Sequence, residues 1–207
     1  MKGDKLVFWA EHEDKARYLL QKILDIYKMG SKQVVLIGGQ SGTGKTEIAR
    51  LLQVKLFYKA RLRSKVIHID DYYNTHWEDR DIVREKTSII GMKEINFNKL
   101  EDIIDDFKLK SSILHLQQIH KFINAIEYTL VESRHIDVLL IEGLYACALN
   151  GDYTVHLDGS MEDTYKFRKE RMKEDPDDDF RKKVLEIERG EVKRLSARAD
   201  LIIPFTL

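Results

Sequence analysis

The chain lacks most of the features that mark the simplest protein classes. Its one cysteine, Cys147, has no partner for an internal disulfide, which suits a reducing compartment and sets the expectation of a cytoplasmic protein. Charge is not in excess on either side: 35 lysines and arginines face 35 aspartates and glutamates, so neither a general nucleic-acid surface nor a membrane surface is expected. No apolar run approaches the length of a membrane span, and the opening from Met1 to Trp9 is too short and mixed for a secretion signal. Internal repeats and low-complexity tracts are missing too. The one dense charge run, Glu174 to Asp179, reads as a solvated loop. What remains is a chain of 207 residues, long enough for one domain with a real core.

That core has a clear centre, the stretch Val34 to Ile48. Val34-Val35-Leu36-Ile37 is a short β-branched run suited to a buried parallel strand. Gly38, Gly39, Gln40, Ser41, Gly42, Thr43 and Gly44 then form a loop with little side-chain bulk, and a helical pattern starts after Lys45 and Thr46. Gly39, Gly44, Lys45 and Thr46 occupy every fixed position of a phosphate-binding loop, between the strand and the helix that such a loop requires. The spacing has a physical basis. Glycines let backbone N–H groups turn inward onto an anion, and the helix N-terminus adds unpaired N–H groups at a positive dipole end. Lys45 is placed to reach the β- and γ-phosphates, and the Thr46 hydroxyl to hold Mg²⁺.

Around this centre the chain reads as strands alternating with helices. Residues 12–28 carry Ala16, Leu19, Leu20, Ile23 and Tyr27 on one helical face, with Gly30 at a C-cap position, so 1–31 is read as an N-terminal helical segment. A helix is expected over 46–61 and a second strand over 65–70, ending in Asp70-Asp71-Tyr72-Tyr73. Residues 74–94 lose periodicity and read as a long binding loop. Helices are expected over 95–107, capped by Asn98 with Glu101, and over 117–133, where Ile119, Phe122, Ile123, Ile126 and Leu130 share a face. Together 74–133 form an insertion for an acceptor. Residues 137–143 are a third strand, 154–158 a fourth, and 200–204 a fifth at a sheet edge, because of Pro204. Ser160 with Asp163 resembles a capping box opening a basic helix over 162–173, and a further helix follows over 180–195, so 160–196 is read as a lid. The fold class is α/β in a single domain over 1–207, a parallel sheet with right-handed crossovers and helices on both faces.

Ligands of such sheets bind beyond the carboxyl ends of the strands. Three candidates stand there: the glycine loop, Asp70 and Glu142. Glu142, ending an apolar strand, suits a second holder of Mg²⁺ beside Thr46. Asp70 suits the residue that orients a hydroxyl and accepts its proton, with the metal in reach. Asp71 is expected to point elsewhere, because strand residues alternate. Tyr72, Tyr73, Arg84 and Tyr145 are candidates to contact an acceptor. Arg168 and Arg171, three residues apart on one helical face, are candidates to close over a transferring phosphoryl group as part of a lid that excludes water. The histidines form no metal-ligand spacing, and Cys147 reads as a small packing residue.

The order of these pieces, GGQSGTGKT, VIHIDDYY, LLIEGLYA, RKERMKED and ADLIIPF, resembles the phosphoribulokinase/uridine kinase family of P-loop kinases from Gly38 to Phe205. The resemblance implies a P-loop three-layer fold with a five-stranded parallel sheet in the order 2-3-1-4-5. It also implies Asp70 as catalytic base and Glu142 assisting the metal. ATP and Mg²⁺ are the implied cofactors, and a small-molecule phosphate acceptor the implied partner. In the family's lid pattern Arg171, Met172 and Asp175 match, while Glu170 and Glu174 stand where the family has arginines. A uridine- or cytidine-like acceptor is the leading expectation through this likeness alone. A kinase acting on a nucleotide sugar or a nucleic-acid end, and a non-catalytic ATP-binding sensor, are the alternatives. Assembly into a homo-oligomer stays open.

Overall fold

Alternation along the central apolar run decides the layering. In the computed structural model, which describes residues 6–109, 111–120, 123, 125–171 and 178–206 without the side chains of Met161, Glu170 and Arg171, the run lies in β1 (Gln33–Gly39), buried along its whole length. Val34 and Leu36 point into one apolar cluster, Val35 and Ile37 into another. A strand with period-two side chains can be apolar at every position only if both faces are covered. The helices supply that cover. On one face lie α1 (Ala10–Ile26), through Ala16, Leu19 and Ile23, and α2 (Lys45–Ala60), through Ile48, Leu52 and Leu56. On the other lies α4 (Phe97–Lys108), through Leu100, Ile103, Ile104 and Phe107.

The other strands of the main sheet are β2 (Ser64–His68), β5 (Val138–Glu142), β6 (Tyr153–Leu157) and β7 (Leu201–Ile203). All pairings are parallel, and the order is β2-β5-β1-β6-β7. Numbered among themselves in chain order, the five run 2-3-1-4-5. Ile37, Glu142 and His68 stand in one row of this sheet. The residues that follow them, the glycine loop from β1 and Asp70 from β2, therefore leave the sheet at the same end.

Four sequence expectations need correction. Residues 117–133 are not a helix: β3 (Ile113–His120) and β4 (Ala125–Glu132) form a separate antiparallel hairpin. Leu114 and Leu116 alternate into the core, whereas Ile126 and Leu130, two of the supposed buried face, are exposed. Phe122 lies outside the described residues. The helical spacing was a coincidence within a β-branched segment, and strand propensity won. Residues 74–94 are not an irregular loop either, because they contain α3 (Arg80–Thr87) and a 3-10 turn at Met92–Glu94. Finally, Asn96, not Asn98, caps α4, its Oδ1 accepting from Lys99 N at 3.2 Å. The N-terminal helix also stops short of Gly30, at Tyr27, whose extended backbone ends it.

The expected box at Ser160 is present and opens α5 (Met161–Arg171). Asp163 N donates to Ser160 Oγ at 3.0 Å, and Ser160 N to Asp163 Oδ2 at 2.9 Å. α6 (Asp179–Leu195) is capped by Asp178, which accepts from Arg181 N at 2.7 Å.

Candidate active site

Two positions of the glycine loop have room only for glycine. At Gly44, φ is +82°, and a Cβ would lie 2.4 Å from Nε2 of His12, whose helix packs directly on the loop. At Gly42 a Cβ would meet Arg168 Cγ and Thr164 Cβ, each at 3.0 Å, so α5 lies across the loop from its other side. Side chains at either position would force the flanking helices away. Inside the loop, Lys45 Nζ donates to Gln40 O at 2.7 Å, and Thr43 Oγ1 donates to the same oxygen at 2.8 Å.

Glu142 meets this loop. Thr46 Oγ1 donates to Glu142 Oε1 at 3.0 Å, and His68 Nδ1 lies 2.5 Å from that oxygen. The other ring nitrogen, Nε2, is 3.0 Å from an Arg50 guanidinium nitrogen. Arginine only donates, so Nε2 accepts and the proton sits on Nδ1, aimed at the carboxylate. Burial by itself would raise the Glu142 carboxyl, but the hydrogen bond from His68 and the positive charge of Lys45 outweigh it and hold the group at about 2. An ionised carboxylate and a hydroxyl oxygen side by side at the mouth of the loop form a hard oxygen donor pair that fits Mg²⁺. Among the described residues no cluster of three or more histidine, cysteine or acidic side chains could hold a metal unaided. His68 is a site residue that sequence reasoning passed over. Its place two residues before Asp70, level with Glu142 in the sheet, was the available signal.

Asp70 is not on the strand itself. It begins its work in a 3-10 turn, Ile69–Tyr72, directly after β2. It is half-buried and has no hydrogen bond or ion pair among the described residues. Asp71 does point elsewhere, though the turn rather than strand alternation directs it. Its buried Oδ1 accepts from Ile119 N at 3.0 Å, and burial pushes its carboxyl up. Asp71 thus ties the turn to the hairpin.

The remaining candidates separate sharply. Tyr72 is a core residue, 2% exposed, and its hydroxyl accepts from Gln117 N at 3.4 Å; burial pushes that hydroxyl up to about 12. It has no free face for stacking. Tyr73 carries the Arg80 guanidinium over its ring, 3.3 Å from the centre. Tyr145 is 1% exposed, with a hydroxyl that has no partner among the described residues. Arg84 is buried in an ion network. Its Nε and Nη2 grip the two oxygens of Glu94 at 2.8 and 3.1 Å, and it reaches Asp81 at 3.2 Å and Glu188 at 3.4 Å. That network ties α3 to the 3-10 turn at Met92 and to α6, which explains why the segment after Tyr73 is ordered. Arg168 lies over the loop, its Nη1 donating to Thr164 Oγ1 at 2.5 Å, and burial and the nearby Arg181 both lower its guanidinium. The Arg171 side chain, with Met172 to Asp175, lies outside the described residues. Cys147 packs against Gly38, where a Cβ would come within 2.4 Å of its sulfur, and burial raises its thiol to about 11. That is a packing residue.

Solved structures of the same architecture cover nearly the whole chain. A structure described as a possible uridine kinase from Bacillus stearothermophilus aligns over 92% of this chain and 97% of its own, with a TM-score of 0.61 and 20% identity. The D-glycerate 3-kinase of Cryptococcus neoformans aligns over 96% and 97%, with a TM-score of 0.59 and 15% identity. Phosphoribulokinase from Rhodobacter sphaeroides aligns over 84% of this chain and 70% of its own, at 0.64 and 11%. The fold is that of the P-loop kinases. The resemblance read from the sequence therefore holds at the level of architecture. The Zeta toxin family matches residues 18–88, from α1 through the glycine loop to the end of α3. No curated protein sequence matches the chain. Among the described residues no helix is long and apolar enough to cross a membrane.

Proposed function

We propose that this P-loop kinase fold transfers the γ-phosphate of ATP to a hydroxyl of a small metabolite. The observation that carries the reading is the union of Glu142 with Thr46 at 3.0 Å, in the same sheet row as His68, which lies two residues before Asp70. The glycine loop and Lys45 bind the phosphate chain. Thr46 and Glu142 would hold Mg²⁺, which supplies charge neutralisation at the phosphates. Asp70, half-buried and without a competing partner among the described residues, orients the acceptor hydroxyl and takes its proton. Arg168, lying across Gly42, adds positive charge over the loop and helps exclude water. The buried thiol of Cys147 and the absence of a disulfide partner suit a cytoplasmic setting.

A uridine- or cytidine-like nucleoside is the finer reading, supported by the sequence motifs and by the likeness to the possible uridine kinase. A kinase acting on a nucleotide sugar is the second reading, because it would use the same loop and the same base. ADP release from ATP and Mg²⁺ across a panel of hydroxylated metabolites, nucleosides and nucleotide sugars separates them. Asp70→Asn is expected to keep ATP binding and to lose about 10²–10⁴-fold in turnover. An intact protein that binds ATP but releases no ADP with any member of the panel would instead be a sensor.

A further inference from the structure

We propose that this protein pairs with a second copy of itself, β4 against β4 in antiparallel fashion, about a two-fold axis at Tyr128. The proposal does not depend on the kinase reading.

A sheet edge presents a row of unpaired N–H and C=O groups and recruits another strand unless something blunts it. The edges of the main sheet are blunted. β7 is three residues long and is followed by Pro204, and β2 lies behind β3, across a groove lined by Lys65 and Ile67 of the first and Leu116 and Gln118 of the second. In the hairpin, the far edge of β3 is taken up as well. Gln117 N donates to the Tyr72 hydroxyl at 3.4 Å, and Ile119 N to Asp71 Oδ1 at 3.0 Å. Those N–H groups point away from β4, so Gln117 and Ile119 form non-hydrogen-bonded pairs with Tyr128 and Ile126 opposite them. Pairs alternate along an antiparallel ladder, so Ile126, Tyr128 and Leu130 all turn their N–H and C=O groups away from β3. The hairpin has two strands, and among the described residues no backbone hydrogen bond joins β4 to a further element.

The same three residues carry an apolar surface. With Ile113 they share one face of the hairpin, and Tyr128 is 73% and Leu130 64% exposed. β4 also holds none of the prolines, lysines or glycine bulges that usually protect an edge.

The sequence of β4 selects the partner. Antiparallel pairing about Tyr128 sets Ile126 opposite Leu130 of the second copy, Tyr128 opposite its own copy, and Glu127 opposite Thr129. An axis at Glu127 would set two carboxylates face to face, and an axis at Thr129 would set Ile126 opposite Glu132. An axis between two residues would pair outward backbone groups with inward ones and set the apolar stripe against the other face. The register about Tyr128 alone matches apolar to apolar and keeps like charges apart. Because the far edge of β3 is occupied, the joined sheet stops at two strands from each copy. The assembly is therefore an isologous dimer and not a fibre.

The test is sedimentation velocity of the full chain across roughly 1–100 µM, the range suited to a small interface of about 1,200 Å² or less in all. A dimer that dissociates within that range is expected. Tyr128→Lys, at an exposed position, should abolish it with Tm unchanged. Leu130→Lys should weaken it, and adding Ile126→Glu should restore it at low salt, because each new carboxylate then faces a new ammonium. Mild oxidation of Tyr128→Cys should give a disulfide-linked dimer, since residues opposite each other in a hydrogen-bonded pair have Cα atoms about 5.5 Å apart. Glu127→Cys should not cross-link, and Cys147 is buried and stays out of the reaction. A chain that is monomeric throughout the range, a dimer that survives Tyr128→Lys, or cross-linking at Glu127→Cys as readily as at Tyr128→Cys, overturns the inference. Monomers that float with phosphatidylcholine vesicles through Tyr128 would give the stripe to a lipid surface and overturn it too.

Discussion

The proposed nucleotide side is one continuous stretch, Gly39 to Thr46, closed by a distant carboxylate, Glu142. The proposed acceptor side draws on a 3-10 turn after β2 and on α3, the turn at Met92 and α6, the last three held together by Arg84 and its three acids. The first is rigid because backbone geometry leaves no alternative: glycines under packed helices cannot be replaced. The second is rigid only while one buried ion network stays intact. A fold built this way can keep its phosphate chemistry while its acceptor side is rebuilt, since the two share little beyond the sheet end.

The sharpest way to break that contrast is to remove the network. Arg84→Met leaves Glu94 buried without its cation and removes one cation from Glu188, which is expected to cost about 3–5 kcal/mol. That corresponds to a fall in Tm of roughly 6–20 °C for a chain of this size, with ATP-analogue affinity of the folded fraction little changed. Thermal unfolding with and without the analogue checks both halves. An unaltered Tm would mean that the acceptor side does not depend on this network.

On that side, His68 hydrogen-bonds Glu142, the proposed metal holder. Partners of this kind behind a metal-holding group are worth about 10–100-fold in metal affinity. His68→Ala should therefore raise the Mg²⁺ concentration needed for half-maximal turnover by such a factor, with direct Mg²⁺ titration of the ATP-analogue complex moving in parallel. His68→Asn, which retains a donor, should recover part of the loss. Identical Mg²⁺ titrations for wild type and His68→Ala would refute the positioning role.

Glu142 also gives the nucleotide side an acid signature. Its folded carboxyl, at about 2, lies below the ordinary value of 4.5, so its contribution to stability is present above about pH 4.5 and is lost as pH falls through 2. Glu142→Gln should accordingly show a shallower loss of stability between pH 4.5 and 2 than the wild type. Denaturant midpoints across that window are the measurement, and parallel slopes would contradict it. The smallest effect is expected at Tyr145. Its hydroxyl has no partner among the described residues, so Tyr145→Phe should raise stability, by about 1 kcal/mol. A loss of stability would mean that the hydroxyl is already satisfied in the free protein.

Legibility in the sequence followed the same division. Val34-Val35-Leu36-Ile37, the glycines and Lys45-Thr46 could be read directly, because a buried parallel strand and a phosphate loop are local patterns with fixed spacing. Glu142 could be placed by its position at the end of an apolar strand. Ile126 and Leu130 misled, because their helical spacing says nothing about which side of the segment finds a partner. Arg84 misled differently. As an arginine in a presumed loop it looked available, and only the arrival of Glu94 and Glu188 from other elements shows that it is spent. His68 carried no local signal beyond proximity to better candidates.

Taken by itself, then, the sequence determined the α/β layering, the strand ends and the phosphate loop. Each follows from side-chain periodicity and backbone freedom within a few residues. The tertiary structure alone decided the hairpin at Ile113 to Glu132, the relay from Arg50 through His68 to Glu142, and the neutralisation of Arg84. Those depend on which charged and apolar groups from distant segments come within bonding distance, and no spacing along the chain encodes that distance.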